Sequence, residues 1–513
     1  MARGLILSLC YLLITLCASA QLTEQQQVQK LHYAYQNIRN HYVDDVPLEP
    51  LVEEAIIATI KELDPHSQYL DREDMAKLRT RIRGEFAGVG IRYMIHKDTI
   101  VVRSIIANPP ADNADVRPND RIIAIDNQCA IGLPTDSIAT LLQGDAGSKL
   151  SLQVARRHEP YPLNIRLKRD HIVNSAVSAS YRVNDIGYIA ISTFSKHVAS
   201  DVYSAYKALG DIKSLVIDLR DNNGGALTSA IDLSSLFLKK GDIIVSTEGR
   251  STQETYRKSK ARISLTIPLV VIINENSASA SEIFAGAIQD YDRGIIIGHT
   301  SYGKGLVQRI IDLKDGTGIT LTIARYKTPS GRVIQRPYER GKSDEYKQDS
   351  LRYMHPDSIP HDHALLFRTL HSGRKVYGGG GITPDIYINT DSIVLSNCVT
   401  RAYAQAQFEH TIIDLWDRVS HNDIIEAYPT YERFNLEYTI DEALYNDFCA
   451  HISCSEPTPL DEAFIRIMLK ATIAEQLYGT NARHYIYSIG FDHMLQRAMV
   501  IAHDEEYMRS TLM

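Results

Sequence analysis

An uninterrupted apolar run, Leu269–Ile273, leads into Asn274-Glu-Asn-Ser-Ala-Ser-Ala-Ser281 and then Glu282-Ile-Phe-Ala-Gly-Ala-Ile-Gln-Asp290. Five apolar residues without alternation fit a strand buried on both faces, and the apolar spacing after the turn predicts a helix over about 281–290. The same alternation recurs through 170–345. Strands are expected near 186–192, 215–219, 294–297 and 318–326, with helices at 198–209 and 228–238 between them. Such a pattern argues for an α/β layer arrangement.

A strand-turn-helix junction places a side chain and several unpaired N–H groups at a helix N-terminus, where the macrodipole favours developing negative charge. Ser279 sits there as a candidate nucleophile, and Ser301-Tyr-Gly-Lys-Gly-Leu-Val-Gln308 offers one strong base, Lys304, between two glycines. Gln308 lies four residues on, where an amide could accept from the amine. Plainer roles exist for each. Ser279 and Glu282 form the Ser-x-x-Glu capping box of ordinary helices, and Lys304 could be a solvated lysine or a phosphate contact without full P-loop glycine spacing.

Both blocks resemble the signature segments of the carboxyl-terminal processing proteases, tail-specific serine peptidases of the S41 type. Leu215-Val-Ile-Asp-Leu-Arg-Asp-Asn-Asn-Gly-Gly225, Leu63-Asp-Pro-His-Ser-Gln-Tyr-Leu70 and Arg325-Tyr-Lys-Thr-Pro-Ser-Gly-Arg332 extend the resemblance from about Gln26 to Asp385. It implies Ser279, rather than Ser277 or Ser281, as nucleophile, with Lys304 as base and Gln308 as its support. Gly225 and Ala280 would supply the oxyanion N–H groups, with Gly224 as the fallback. The implied core is crotonase-like and ClpP-like.

A chain of 513 residues exceeds one ordinary core. The expected organisation is a signal peptide (1–20), a helical N-terminal domain (21–85), a PDZ module (86–169), the peptidase core (170–390, with an irregular insertion at 340–380) and a helical C-terminal extension (391–513). The N-terminus carries Arg3, the apolar stretch Leu5–Cys17 and Ala18-Ser-Ala20, which reads as a secretory signal cut before Gln21. The stretch is short for a membrane span, so no stable span is expected after cleavage, and the expected location is exported, in a bacterial periplasm or cell envelope. A formal charge of -7 and the lack of a basic run argue against nucleic acid.

Cys129, Cys398, Cys449 and Cys454 would remain after cleavage, too few for a disulfide scaffold. Cys449 and Cys454 are near enough in sequence to pair, or both are buried thiols. The histidines, His361-Asp-His363 and His158 included, lack a ligand spacing, so no metal is expected, and no organic cofactor either.

Within 86–169, short strands at 90–94, 100–105, 121–125 and 150–156, a helix at 136–142 and the loop Gly88-Val-Gly-Ile91 resemble a PDZ module. Such modules add a peptide tail to a sheet edge and hold its carboxylate on loop N–H groups, here Gly88, Val89, Gly90 and Ile91. Asp115 and Asn119 stand where glycine is customary and should take its left-handed conformation. Gln143 precedes Gly144 where relatives often carry arginine. The N-terminal residues recur apolar at Val28, Leu31, Tyr35 and Ile38, with a second helix from Pro47 to Leu63. The extension is helical by pattern at 402–420, 440–452, 460–477 and 490–502 and shows no chemistry. Packing, dimerisation and partner docking are all open for it.

The resulting expectation is an exported serine endopeptidase that takes proteins or peptides with apolar C-terminal tails, alone or through an adaptor, as monomer or homodimer. Lys304 must be neutral to act as base, a fall from about 10.4 toward about 7 that corresponds to roughly 4–5 kcal/mol. A noncatalytic peptide-binding scaffold and a crotonase-like acyl-CoA enzyme are the rival readings.

Overall fold

The computed structural model describes residues 23–106, 111, 114–250, 252–348, 363–389 and 394–513, so the signal-peptide segment lies outside the described residues. A six-stranded sheet forms the centre, in the order Val177–Val183, Ile186–Ile191, Ser214–Asp218, Leu269–Ile273, Ile295–Gly298 and Ile386–Tyr387. The first pair is antiparallel and the rest are parallel. Its middle strands are buried at every position, in keeping with their largely apolar runs, Leu269–Ile273 among them.

Helices Val198–Ala208, Leu227–Ser234 and Ala280–Asp290 cover one face, where Ile217, Val271 and Phe284 share a core. The other face is covered by the C-terminal extension: Met494, Leu495, Ala498 and Ile501 of the His493–His503 helix pack on Val216, Val270 and Ile272. The extension thus completes the core of the α/β fold.

A second sheet carries Gly318–Lys327 at its centre, paired with Leu306–Asp312, Ile243–Gly249 and, from the N-terminal region, Gln68–Leu70. The hairpin Ile243–Gly249 with Thr252–Lys258 had no clear sequence signal, because Thr-Gln-Glu-Thr-Tyr-Arg-Lys offers no apolar face and is held by its neighbours. The insertion expected to be irregular contains a helix, Ser343–Gln348, and a hairpin of Leu366–Arg368 with Lys375–Tyr377, while 349–362 lie outside the described residues.

Residues 91–168 form a separate sheet with a helix at Thr135–Leu142, and Ile91–His96 is its edge strand. Asp115 and Asn119 take φ of 60° and 68°, the left-handed geometry expected of them. The back of this sheet rests on the extension through Arg103 with Glu475 (2.6 Å), Arg121 with Asp417 (2.8 Å) and His96 with Asp414 (2.9 Å).

In the extension the expected 402–420 helix divides into Asn397–Ala404 and Gln407–Trp416, broken at Ala406 with φ 53°. A disulfide joins Cys398 to Cys454, and Cys449 is buried and free, so the suggested Cys449–Cys454 pair does not form. Sequence proximity misled here because packing of the extension, in whose core both Cys449 and Cys454 are buried, brings Cys398 from 56 residues away to Cys454. The Glu24–His41 helix begins in a Thr23 capping box yet buries none of its residues, leaving Val28 and Leu31 exposed.

Candidate active site

Ser279 ends the turn after Leu269–Ile273 and begins the Ala280–Asp290 helix with φ 58° and ψ −110°, a strained backbone for a residue with a Cβ. Three neighbours hold it there. The Ser279 N–H donates to Glu282 Oε2 at 2.8 Å. Gly224 approaches so closely that a Cβ on it would lie 2.6 Å from Ala278 O and 2.9 Å from Ala280 N. Tyr326 donates its hydroxyl to Ser279 O at 3.2 Å.

The flanking serines differ from Ser279 in what their hydroxyls do. Ser277 Oγ donates to Leu219 O and Ser281 Oγ to Asn222 O, each at 2.8 Å, and both residues are fully buried. These bonds tie the serine turn to the loop after Ser214–Asp218. Ser279 Oγ donates no hydrogen bond among the described residues and is partly exposed.

Lys304 stands in the loop before Leu306–Asp312, its amine donating to Gln308 Oε1 at 2.8 Å. A register shift between Val307 and Gln308 re-aims the amide, whose Nε2 donates to His66 O. Burial pushes the Lys304 amine below its ordinary value of 10.5, against the Glu282 and Asp64 carboxylates, which draw it back up. No hydrogen bond joins Lys304 Nζ to Ser279 Oγ among the described residues; the amine is held by Gln308 instead.

Glu282, visible in the sequence only as a cap, is the organising group. Fully buried, it accepts from Ser279 N–H and Lys304 N–H on Oε2, and from Ser301 Oγ (2.6 Å) and Gly303 N–H (2.7 Å) on Oε1. Burial pushes its carboxyl above the ordinary range, and the four donors pull the other way. Tyr326 adds a second strap, its single hydroxyl proton shared between Ser279 O and the nearer Lys304 O.

Sequence reasoning also missed how the N-terminal region enters the site. Asp64 accepts from His66 N–H (2.9 Å), Ser67 N–H (2.8 Å) and Ser67 Oγ (2.6 Å), fixing the turn that presents His66 O to Gln308. Tyr346 of the insertion packs edge-on against His66 and lies under the Arg336 guanidinium at 4.1 Å. The Asp-Pro-His-Ser segment was the only signal for this support.

Gly224 N–H donates to Asn222 Oδ1 at 2.9 Å, which engages the fallback oxyanion donor. Gly225 N–H and Ala280 N–H have no acceptor among the described residues, and Ala280 is the first residue of its helix. Gly225 is pinned beside Phe194, where a Cβ would meet Phe194 O at 2.4 Å.

Gly88, Val89 and Gly90 are buried at the start of the Ile91–His96 edge strand, and Gly90 has φ 78°. Arg169 donates to the carbonyls of Leu141 and Leu142, closing the end of the helix beside this edge; Gln143 is exposed. Among the described residues there is no cluster of three metal-ligating side chains and no helix long and apolar enough to cross a membrane.

Three family profiles match this chain: Peptidase family S41 over residues 185–341, PDZ domain over 101–156, and Activating protease CtpB N-terminal domain over 15–74. A carboxy-terminal-processing protease of Bartonella bacilliformis is 39% identical over 319 residues, covering 60% of this chain and 73% of that one. The carboxy-terminal processing protease CtpB of Bacillus subtilis is 33% identical over 325 residues, 62% of this chain and 68% of its own. Among solved structures, the photosystem II D1 C-terminal processing protease is 23% identical over 70% of this chain and 88% of that one, with a TM-score of 0.35. The chain belongs to the carboxy-terminal processing proteases, serine-type peptidases of family S41 that carry a PDZ domain.

Proposed function

We propose that this protein is an exported endopeptidase that takes the apolar C-terminal tail of a polypeptide on Gly88–Ile91 and the adjoining strand edge, and cuts nearby with Ser279. The observation that carries this reading is the contrast among the three serines: two hydroxyls are engaged by backbone carbonyls, and Ser279 alone is left at a helix N-terminus beside unpaired N–H groups.

Gln308 Oε1 takes an N–H of Lys304, which leaves the nitrogen lone pair free to remove the Ser279 proton. The hydroxyl oxygen then attacks the scissile carbonyl, and Gly225 N–H and Ala280 N–H receive the oxyanion. Lys304 returns its proton to the leaving amine, and water hydrolyses the acyl-enzyme. Burial favours the neutral amine this requires. Export is supported by the Leu5–Cys17 stretch and by a Cys398–Cys454 disulfide, which persists in oxidising compartments. The exposed stripe of Val28, Leu31 and Ile38 supports an interaction surface at that end, for a second copy or an adaptor.

The test compares the protein lacking residues 1–20 with its Ser279→Ala variant on an unfolded substrate bearing an apolar C-terminal tail, followed by mass spectrometry. Cleavage by the parent alone is expected. Cleavage by both rejects Ser279, and tail binding with no cleavage by the parent favours the scaffold reading.

A further inference from the structure

We infer that the C-terminal extension positions the oxyanion loop of the active site, through Asp492 acting on Arg220; this rests on the Ser279 reading above. No matched family profile reaches this region, the last ending at residue 341. Arg220 follows the central strand Ser214–Asp218 and lies five residues before Gly225. Its guanidinium is gripped from two sides. Nε donates to Asp218, itself held by the Tyr188 hydroxyl at 2.8 Å, while Nη1 and Nη2 form a fork on Asp492 at 3.0 and 2.6 Å.

Asp492 is a fixed anchor. It caps the His493–His503 helix, accepting from Leu495 N–H at 3.0 Å, and that helix is packed on the underside of the central sheet. Bidentate pairing fixes the plane of a guanidinium as well as its place. The Arg220 side chain is only 21% exposed, and without the Asp492 carboxylate it is held by Asp218 alone, so the guanidinium loses one of its two fixed points and the backbone that carries it can shift. The backbone that would move is the oxyanion loop. Asn222 O receives Ala278 N–H and Ser281 Oγ, and Asn222 Oδ1 holds Gly224 N–H, so a shift at Arg220 passes directly to the donor at Gly225 and to the serine turn. Asp492 touches none of the reacting atoms; it is a positioning residue, supplied from more than two hundred and sixty residues away in the chain.

The same extension holds the PDZ module, where Glu475 accepts from both Arg103 (2.6 Å) and Arg483 (2.8 Å). The tail-binding module and the oxyanion loop therefore rest on one support.

The test uses Asp492→Asn in the chain lacking residues 1–20, because asparagine keeps an oxygen for Leu495 N–H while removing the charge and turning an NH2 against Arg220 Nη2. Two rates are read: covalent capture of Ser279 by a small fluorophosphonate, which needs the oxyanion donors but no tail, and kcat on a tail-bearing protein. Both should fall about 10- to 100-fold, with KM and the affinity for a free tail peptide unchanged. Asp461→Asn is the control. Asp461 is the buried N3 partner of Thr458 in the capping box of the Pro459–Tyr478 helix, bonded to Ser396 and Thr458 and with no bond to Arg220, and its loss should lower Tm while sparing both rates. Equal rates in Asp492→Asn and the parent, or losses that Asp461→Asn shares in proportion to its Tm, overturn the inference. A parent that does not react with the probe, or reacts equally after Ser279→Ala, overturns the Ser279 reading itself and the inference with it.

Discussion

The backbone N–H groups of Ser279 and Lys304 donate to the same oxygen, Glu282 Oε2, at 2.8 and 2.9 Å. The proposed nucleophile and base are held at one buried carboxylate, while Lys304 Nζ and Ser279 Oγ share no hydrogen bond among the described residues. Replacing Glu282 by Gln puts an amide NH2 against N–H donors on one side or the other. Glu282→Gln should reduce kcat about 100-fold, as displacement of a reacting group by about 1 Å does. Steady-state kinetics with KM resolved checks this, and an unchanged kcat would remove Glu282 from its organising role.

Among the three serines, only Ser279→Ala should abolish cleavage. Ser277→Ala and Ser281→Ala each remove one of two donors from a buried carbonyl, Leu219 O and Asn222 O, and should cost about 0.5–1.5 kcal/mol of stability while leaving Ser279 reactive. Thermal melts beside active-site labelling separate the two effects.

Activity should rise with pH. The Lys304 amine is lowered from 10.5 chiefly by burial, and only its neutral form takes a proton, so kcat grows as pH passes upward through the lowered value. In the window between that value and 10.5 the unfolded chain binds more protons than the folded one, so this group's contribution to stability also rises with pH. Lys304→Met should abolish cleavage and remove that component of the stability profile. A flat or falling rate profile would reject lysine as the base.

A Gly90→Val substitution forces a β-branched residue to φ 78° at the start of the edge strand. Tail-peptide affinity should fall and KM for tail-bearing substrates rise, with fluorophosphonate capture of Ser279 unchanged. Fluorescence titration with a labelled tail peptide measures it, and unaltered affinity would move the tail site elsewhere.

The Cys398–Cys454 bridge spans 56 residues, and its reduction should cost about 2–4 kcal/mol. Non-reducing peptide mapping should recover the 398–454 cross-link, with Cys129 alkylated in the native protein and Cys449 only after unfolding. A Cys449–Cys454 cross-link would contradict the structure.

What the sequence by itself determined was local. Unbroken apolar runs such as Leu269–Ile273 announced strands buried on both faces, the serine turn announced a helix start, and Asp115 and Asn119 announced left-handed turns, because periodicity and backbone sterics act over a few residues. Only the tertiary structure decided which hydroxyl among Ser277, Ser279 and Ser281 is free, since that depends on Leu219 and Asn222 from another strand end. It alone turned Glu282 from a helix cap into a four-donor acceptor, brought His66 O to Gln308, joined Cys398 to Cys454 and set Asp492 on Arg220. Each of these pairs residues brought together by packing, and no local pattern encodes a partner that the folded core selects.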